Sequence, residues 1–199
     1  MLHVLSIQRT RWARPELVLT LDGTIPEHYQ YVKLAWIALL FLMVGWFGRR
    51  WAYVPWAGLF AYIVADDFFA LHEGVGGWID ARTEATQVVG VPVQALGEVA
   101  LPGAVTLLLA PLLLWSVLRG PPHDRRVLRS VAVFVALFAG FGVGVDLLHA
   151  AFPGGGQAWK IWGVLEEGGE LVVASLLLAY LFSVLTQPAE RWVRPQSSH

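Results

Sequence analysis

Apolar runs long enough to cross a membrane recur along most of this chain. A helix of about 20 apolar residues spans the hydrocarbon core of a bilayer, and five segments of the 199-residue sequence come close to that length. They are residues 31–48, 53–72, 91–118, 130–151 and 161–185. The sequence therefore predicts an all-α, polytopic integral membrane protein with five transmembrane helices.

The remaining residues divide at these runs. Residues 1–30 are expected to form an N-terminal segment outside or on the surface of the membrane, residues 31–186 the five-helix domain, and residues 187–199 a C-terminal tail. Arginines at positions 9, 11 and 14 interrupt any apolar core near the start, so no cleaved signal peptide is expected. Residues 74–90 and the Pro-Gly-Gly-Gly segment at 153–156 are predicted to be loops on one side of the membrane.

Basic residues between the runs predict the orientation. They follow the first, third and fifth runs, which places them on one side, and the positive-inside rule assigns that side to the cytoplasm. These residues are Arg49, Arg50, Arg119, Arg125, Arg126, Arg129, Arg191 and Arg194. We therefore expect a multi-pass protein of a bacterial inner or plasma membrane, with its N-terminus outside and its C-terminus in the cytoplasm. Arg82, Lys160 and Lys33 would then lie outside, against the rule.

Charge is scarce, and its distribution is more informative than its amount. Only 15% of the residues are charged, against roughly a quarter in ordinary soluble domains. The net charge of -1 argues against binding to nucleic acid, and the lack of cysteine excludes thiolate metal sites. Eight of the 15 acidic residues fall inside or at the ends of the apolar runs: Asp66, Asp67, Glu73, Glu98, Asp146, Glu166, Glu167 and Glu170.

These acids, with His72 and His149, are predicted to share one depth. In the expected topology they end the second and fourth helices, begin the fifth, and lie two turns into the third, so all ten fall in the outer half of the membrane. Asp66 and Glu73 are seven apart, which places them on one face of a continuous helix that Gly74 would end. The sequence therefore predicts one polar carboxylate and histidine site in the bundle, near the outer membrane face.

Three glycines on the fourth run have a different explanation. Gly140, Gly142 and Gly144 are predicted to allow close helix packing, since Gly140 and Gly144 have the spacing of a small-xxx-small motif.

The predicted site lacks basic partners, which favours a metal. Ionisable groups in a membrane are costly unless paired, protonated or bound to metal, and no Lys or Arg lies within the four runs that carry these acids. Two histidines with at least four carboxylates are similar in composition, though not in spacing, to the sites of di-iron and di-manganese carboxylate proteins. Such ligands suit divalent Fe, Mn or Zn. We therefore expect a site for divalent metal ions, two in number.

Each residue of the predicted site receives a role. The metal ligands are expected to be His72, Glu73, Glu98, Asp146, His149 and Glu170. The other four acids are expected to orient those ligands or to act as general acids and bases in catalysis. They are Asp66, Asp67, Glu166 and Glu167.

The leading functional hypothesis is an integral membrane metalloenzyme that oxidises or hydrolyses a lipophilic small molecule in the bilayer. Three alternatives stay open. The carboxylates could translocate protons or metal cations, His72 and His149 could ligate a haem, or the chain could be a structural subunit of a larger membrane complex. The sequence also leaves a homo-oligomer open.

Overall fold

A computed structural model of the protein describes residues 24–151 and 157–185. Three predicted features lie outside these residues: most of the N-terminal surface segment, the Pro-Gly-Gly-Gly segment at 153–156, and the C-terminal tail. The described chain is helical apart from one small hairpin, so the all-α prediction is confirmed. Its helices are α1 Ile25–Trp46, α2 Val54–Phe69, α3 Leu71–Asp80, α4 Val93–Arg119, α5 Pro122–Ala139, α6 Asp146–Ala151 and α7 Gln157–Leu185. A short 3-10 turn, Trp51–Tyr53, precedes α2, and a π-helical segment, Gly140–Val145, joins α5 to α6.

Four helical stretches are long and apolar enough to cross a membrane. They are Ile25–Trp46, Val93–Arg119, Pro122–Ala151 and Ile161–Val184. A fifth candidate is the pair Trp51–Phe69 and Leu71–Asp80, whose members are bent by 62°. The chain therefore has several helices of membrane-spanning length and composition, as the sequence predicts.

Contacts between side chains show that neighbouring helices in the sequence run in opposite directions. The Tyr31 hydroxyl near the start of α1 donates to the Asp67 carbonyl near the end of α2. At the other end of α1, a Cβ on Gly45 would lie 2.7 Å from Val54. The rings of Phe134 and Tyr180 are in contact, and Gly142 lies against Glu170, so the segment from α5 through the π-helix runs antiparallel to α7. This arrangement gathers the polar ends of α2, α4, α6 and α7 at one end of the bundle.

The apolar core lies toward the opposite end from those polar residues. Its centre is formed by side chains that are almost fully buried on four helices and the 3-10 turn, including Phe41, Tyr53, Phe60, Leu128 and Leu181. Polar contacts close this end. Asp124 of α5 accepts hydrogen bonds from Arg50 at 2.8 Å and from Tyr53 at 3.3 Å, and the Trp56 indole donates to Ser116 at 2.9 Å.

A break at Ala70 divides the predicted second span. Ala70 adopts the left-handed conformation, with φ of 49° and ψ of 43°, between α2 and α3. A single straight helix over residues 53–72 that ends at Gly74 is therefore wrong, because α3 continues to Asp80. The carboxylate of Asp66 accepts a hydrogen bond from the backbone N–H of His72 at 3.0 Å. Asp66 thus satisfies a backbone donor that the break leaves free at the start of α3.

The segment predicted as a loop over residues 74–90 is largely ordered structure. Most of α3 occupies its first part, and β1 Gln87–Val88 pairs antiparallel with β2 Val91–Pro92 after it. Val89 and Gly90 form the turn with φ of 53° and 83°, as a two-residue type I′ turn requires. The loop prediction failed because Gly74, Gly76 and Gly77, which indicated a loop, lie within α3, where Gly76 faces α4.

Two glycines bring α3 against α4. A Cβ on Gly97 would lie 2.8 Å from the Cα of Gly76, and a Cβ on Gly76 would lie 2.8 Å from the Gln94 carbonyl. Only glycine allows two helix backbones to approach this closely. The contact fixes α3 beside the first turns of α4, where Glu98 lies.

We predict that Gly76→Ala destabilises the protein by about 1–3 kcal/mol, because the added methyl group overfills the contact with α4. The neighbouring Gly77→Ala provides a matched control, since a Cβ at Gly77 meets no atom within 4 Å. That control should keep or raise stability, as alanine favours a helix over glycine by roughly 0.5–1 kcal/mol. Thermal unfolding in detergent measures both. Equal melting temperatures for the two variants would contradict the packing described.

Candidate functional site

Nine of the ten residues in the predicted site line one cavity of about 1160 Å³. The cavity lies among α1, α2, α4, the α5 to α6 region and α7, with the first turn of α3 at its polar end. The nine are Asp66, Asp67, His72, Glu73, Glu98, Asp146, Glu166, Glu167 and Glu170. The structure thus brings these residues to one place, while their ligand and catalytic roles stay predictions.

His149 is the residue that does not line this cavity. It lies on α6 and is partly buried. Its imidazole interacts electrostatically with Asp146, which does line the cavity and also interacts with His72. His149 therefore neighbours the site through Asp146 and does not reach the cavity itself, in contrast to its predicted role as a direct metal ligand.

The closest group of possible ligands is Asp66, Asp67 and His72, whose ligand atoms lie within 4.8 Å of one another. Asp66 is 5% exposed. Its second carboxylate oxygen lies 3.2 Å from Nδ1 of His72. The break at Ala70 creates this arrangement, because it turns the chain so that His72 faces back toward the end of α2. The predicted shared face of Asp66 and Glu73 is wrong for the same reason, and Glu73 is exposed.

Three buried polar atoms at this cavity have no hydrogen-bond partner in the described chain: Oε1 of Gln30, the hydroxyl of Tyr62 and Nδ1 of His72. Gln30 is only 6% exposed, and all three residues line the cavity. The His72 nitrogen is close to Asp66 but lacks hydrogen-bond geometry. Leaving a buried acceptor unpaired costs about 1–3 kcal/mol. These three unpaired atoms beside one acidic group are therefore well placed to receive a ligand.

Helix α1 contributes polar contacts that the sequence analysis missed. Gln30 donates to Glu170 at 2.7 Å. Lys33, 3% exposed, donates to the Leu171 carbonyl at 2.8 Å and to Ser175 at 3.0 Å. Lys33 is thus buried between α1 and α7, while its expected position on the outer side of the membrane stays a prediction. The available signal was the spacing of Gln30 and Lys33, three residues apart on one helix face.

Carboxylates dominate the polar part of the cavity. Glu27 of α1 joins the eight acids already named, His72 is the one histidine, and no Lys or Arg lines the cavity in the part of the chain that is described. Acids from different helices lie near enough to interact electrostatically, such as Asp67 with Glu170 and Asp146 with Glu166. A cavity with this lining suits a cation.

The π-helical segment positions one of these acids. A Cβ on Gly142 would collide with the carboxylate of Glu170, whereas a Cβ on Gly140 meets nothing within 4 Å. The predicted packing pair Gly140 and Gly144 is therefore wrong, and Gly142 is the glycine that allows a close approach. Single π-helical turns often occur at functional sites. Here the lack of a side chain at Gly142 leaves space for the Glu170 carboxylate, which accepts a hydrogen bond from Gln30.

We predict that Gly142→Ala displaces the Glu170 carboxylate from Gln30 and destabilises the protein by about 1 kcal/mol, the value of one hydrogen bond. A double-mutant cycle with Gln30→Leu tests this coupling through thermal unfolding. The double variant should be no less stable than Gly142→Ala alone, because both changes remove the same bond. Gly140→Ala is the control, and its effect should add to that of Gln30→Leu. If the losses of stability caused by Gly142→Ala and Gln30→Leu add up in the double variant, the assigned contact between Gly142 and Glu170 is contradicted.

Comparison with known proteins identifies a family but no characterised relative. A family model described as Domain of unknown function (DUF8692) matches residues 28–184, which include all ten residues of the predicted site. Comparisons with curated proteins and with solved structures give no match. Since the family model covers most of the sequence, the chain belongs to the DUF8692 family.

Proposed function

We propose that this protein is an integral membrane metalloenzyme that binds divalent cations in its carboxylate-lined cavity and acts on a lipophilic substrate. The observation that carries the proposal is the group Asp66, Asp67 and His72, which offers three ligand atoms within 4.8 Å of one another. Beside it, Oε1 of Gln30 is buried and unpaired. A cation would receive ligands from this group.

Charge balance supports a cation over a purely structural role. Ionised side chains within a membrane are costly unless they are paired, protonated or bound to metal, and this cavity carries many carboxylates with no basic lining among the described residues. Lys33 does not pair with them, because its ammonium group is bonded to Leu171 and Ser175. A divalent ion would offset several of these charges together.

The donor set favours particular metals and revises the predicted roles. One imidazole nitrogen with carboxylate oxygens suits Zn, Fe or Mn. In this proposal Asp66 and Asp67 act as ligands with His72, whereas the sequence suggested that these two acids orient ligands or act as general acids and bases. Asp146 and Glu166, with Glu170 nearby, would serve a second cation on the facing helices. A bound cation supplies Lewis acidity and can lower the pKa of a water molecule.

The proposed membrane placement has five crossings, with the bent pair α2 and α3 as the second. The cavity's acidic end would then lie near the outer face, with the N-terminus outside and the C-terminus in the cytoplasm. One feature supports this orientation. Arg50 and Arg119 lie at the end of the bundle opposite the acids, and basic residues favour the cytoplasmic side.

Cation binding is the direct test of the proposed function. Metal analysis and titration calorimetry on detergent-purified protein should detect bound Fe, Mn or Zn, and Asp66→Asn and His72→Ala should each weaken binding at least about ten-fold. Asp80→Asn is the matched control, because Asp80 is an exposed acid on α3 that does not line the cavity. The Asp80→Asn variant should bind the metal with the affinity of the wild type.

Other results would favour the alternatives. Folded protein that binds none of these metals would contradict the metalloenzyme, and proton or cation flux by such protein in liposomes would support translocation instead. A haem absorption band in the purified protein would identify a different cofactor.

A further inference from the structure

The cavity that holds the acidic group continues far beyond it. Its lining includes apolar side chains from α2, α4 and α5: Trp56, Leu59, Ile63, Leu113, Val135 and Phe138. On α2, ten residues separate Asp66 from Trp56, which is about 15 Å at 1.5 Å per residue. That distance is half of the roughly 30 Å hydrocarbon core of a bilayer. One cavity therefore combines a polar end with a long apolar part.

The lining of the apolar part is exposed at the surface on α4 and α5, and this exposed stretch is the candidate side opening. Lining residues on both helices are exposed in the described structure, among them Leu107 at 76% on α4 and Ala136 and Ala139 on α5. Leu107 lies nine residues after Glu98, about 14 Å along α4, so the opening is in the apolar middle of the helix and not at the acidic end. On the α5 side, the side chains at this opening are the small methyl groups of these alanines.

The two ends of the cavity differ in their surroundings. Glu73 is exposed at the acidic end, whereas the side opening lies among residues such as Leu108 and Leu112, which are exposed but do not line the cavity. Apolar residues exposed at the middle of a membrane-spanning helix face lipid chains. A molecule that enters through this opening therefore comes from the bilayer.

We infer that the cavity takes a single-chain lipid from the membrane through the opening between α4 and α5, and that an oxygen-bearing headgroup reaches the cation at Asp66, Asp67 and His72. This inference rests on the proposed function, because a carboxylate headgroup would be repelled by the acidic lining unless a cation lies between them. The apolar chain fills the part of the cavity between Leu59 and Leu113. The substrate class is thus a long-chain fatty acid or a lipid with a similar head and one chain.

A photoreactive fatty acid tests the inference in lipid nanodiscs. The probe is palmitic acid with a diazirine near the chain end, and its attachment sites are mapped by mass spectrometry in the presence of Zn²⁺. We expect labelling of Leu59 and Trp56, which are 4% and 3% exposed and which bilayer lipids cannot otherwise reach. Unlabelled palmitate should compete for these positions, and hexanoate should not.

Variants at the opening make the test specific. Ala139→Phe and Ala136→Phe should each lower labelling of Leu59 at least about ten-fold, because the added phenyl ring overfills the opening and hinders entry of the lipid chain. Leu137→Phe is the control, because Leu137 is exposed on the same helix but does not line the cavity. Its labelling should match the wild type. Labelling of Leu108 and Leu112 reports ordinary lipid contact and should be unchanged in every variant.

Two results would overturn the inference, and neither is confused with failure of the proposed function. Protein that binds Zn²⁺ but is labelled only at Leu108 and Leu112 would contradict entry of the chain while leaving the cation site intact. Labelling of Leu59 that persists in full after chelation would contradict the contact between headgroup and cation. The Zn²⁺ content of each sample is measured in parallel and decides the proposed function separately.

Discussion

The cost of holding carboxylates among apolar helices governs the organisation of this protein. Each ionised acid in such a setting needs a hydrogen-bond donor, a proton or a cation. The structure supplies some donors, since the backbone N–H of His72 bonds to Asp66 and the Gln30 amide bonds to Glu170. The Gln94 amide also donates to Glu98, but no Lys or Arg of the described residues lines the cavity to balance the charge of its carboxylates. That unbalanced charge at one place is the physical basis of the proposed cation site.

The backbone geometry at Ala70 brings Asp66, Asp67 and His72 together. The left-handed conformation of Ala70 costs roughly 1–2 kcal/mol for a residue with a Cβ, and it persists because both flanking helices are anchored. Helix α2 packs on α1, and α3 is fixed to α4 through Gly76 and Gly97. The same bend brings His72 within 3.2 Å of Asp66. Strained residues of this kind tend to occur at functional sites, and here the strain adjoins the closest group of ligands.

Much of the architecture could be predicted from the sequence because hydropathy and charge placement act over whole helices. Long apolar runs indicated the helices, and matched depth indicated that Glu98, Asp146 and Glu170 would approach one another. The break at Ala70 could not be predicted, since alanine is the strongest helix former and carries no local signal for a left-handed turn. Gln30 and Lys33 were missed because only acids and histidines were weighed. The role of Gly142 depends on its contact with Glu170 on another helix, which spacing along one helix does not reveal.

In the proposed site Asp66, Asp67 and His72 hold one cation together. Anomalous diffraction from crystals grown with Zn²⁺, recorded at the zinc absorption edge, can locate such an ion. A peak is expected in the cavity within about 2.0–2.2 Å of a carboxylate oxygen of each aspartate and of a nitrogen of His72. Density that shows these three side chains well ordered at saturating Zn²⁺, with no anomalous peak between them, would contradict it.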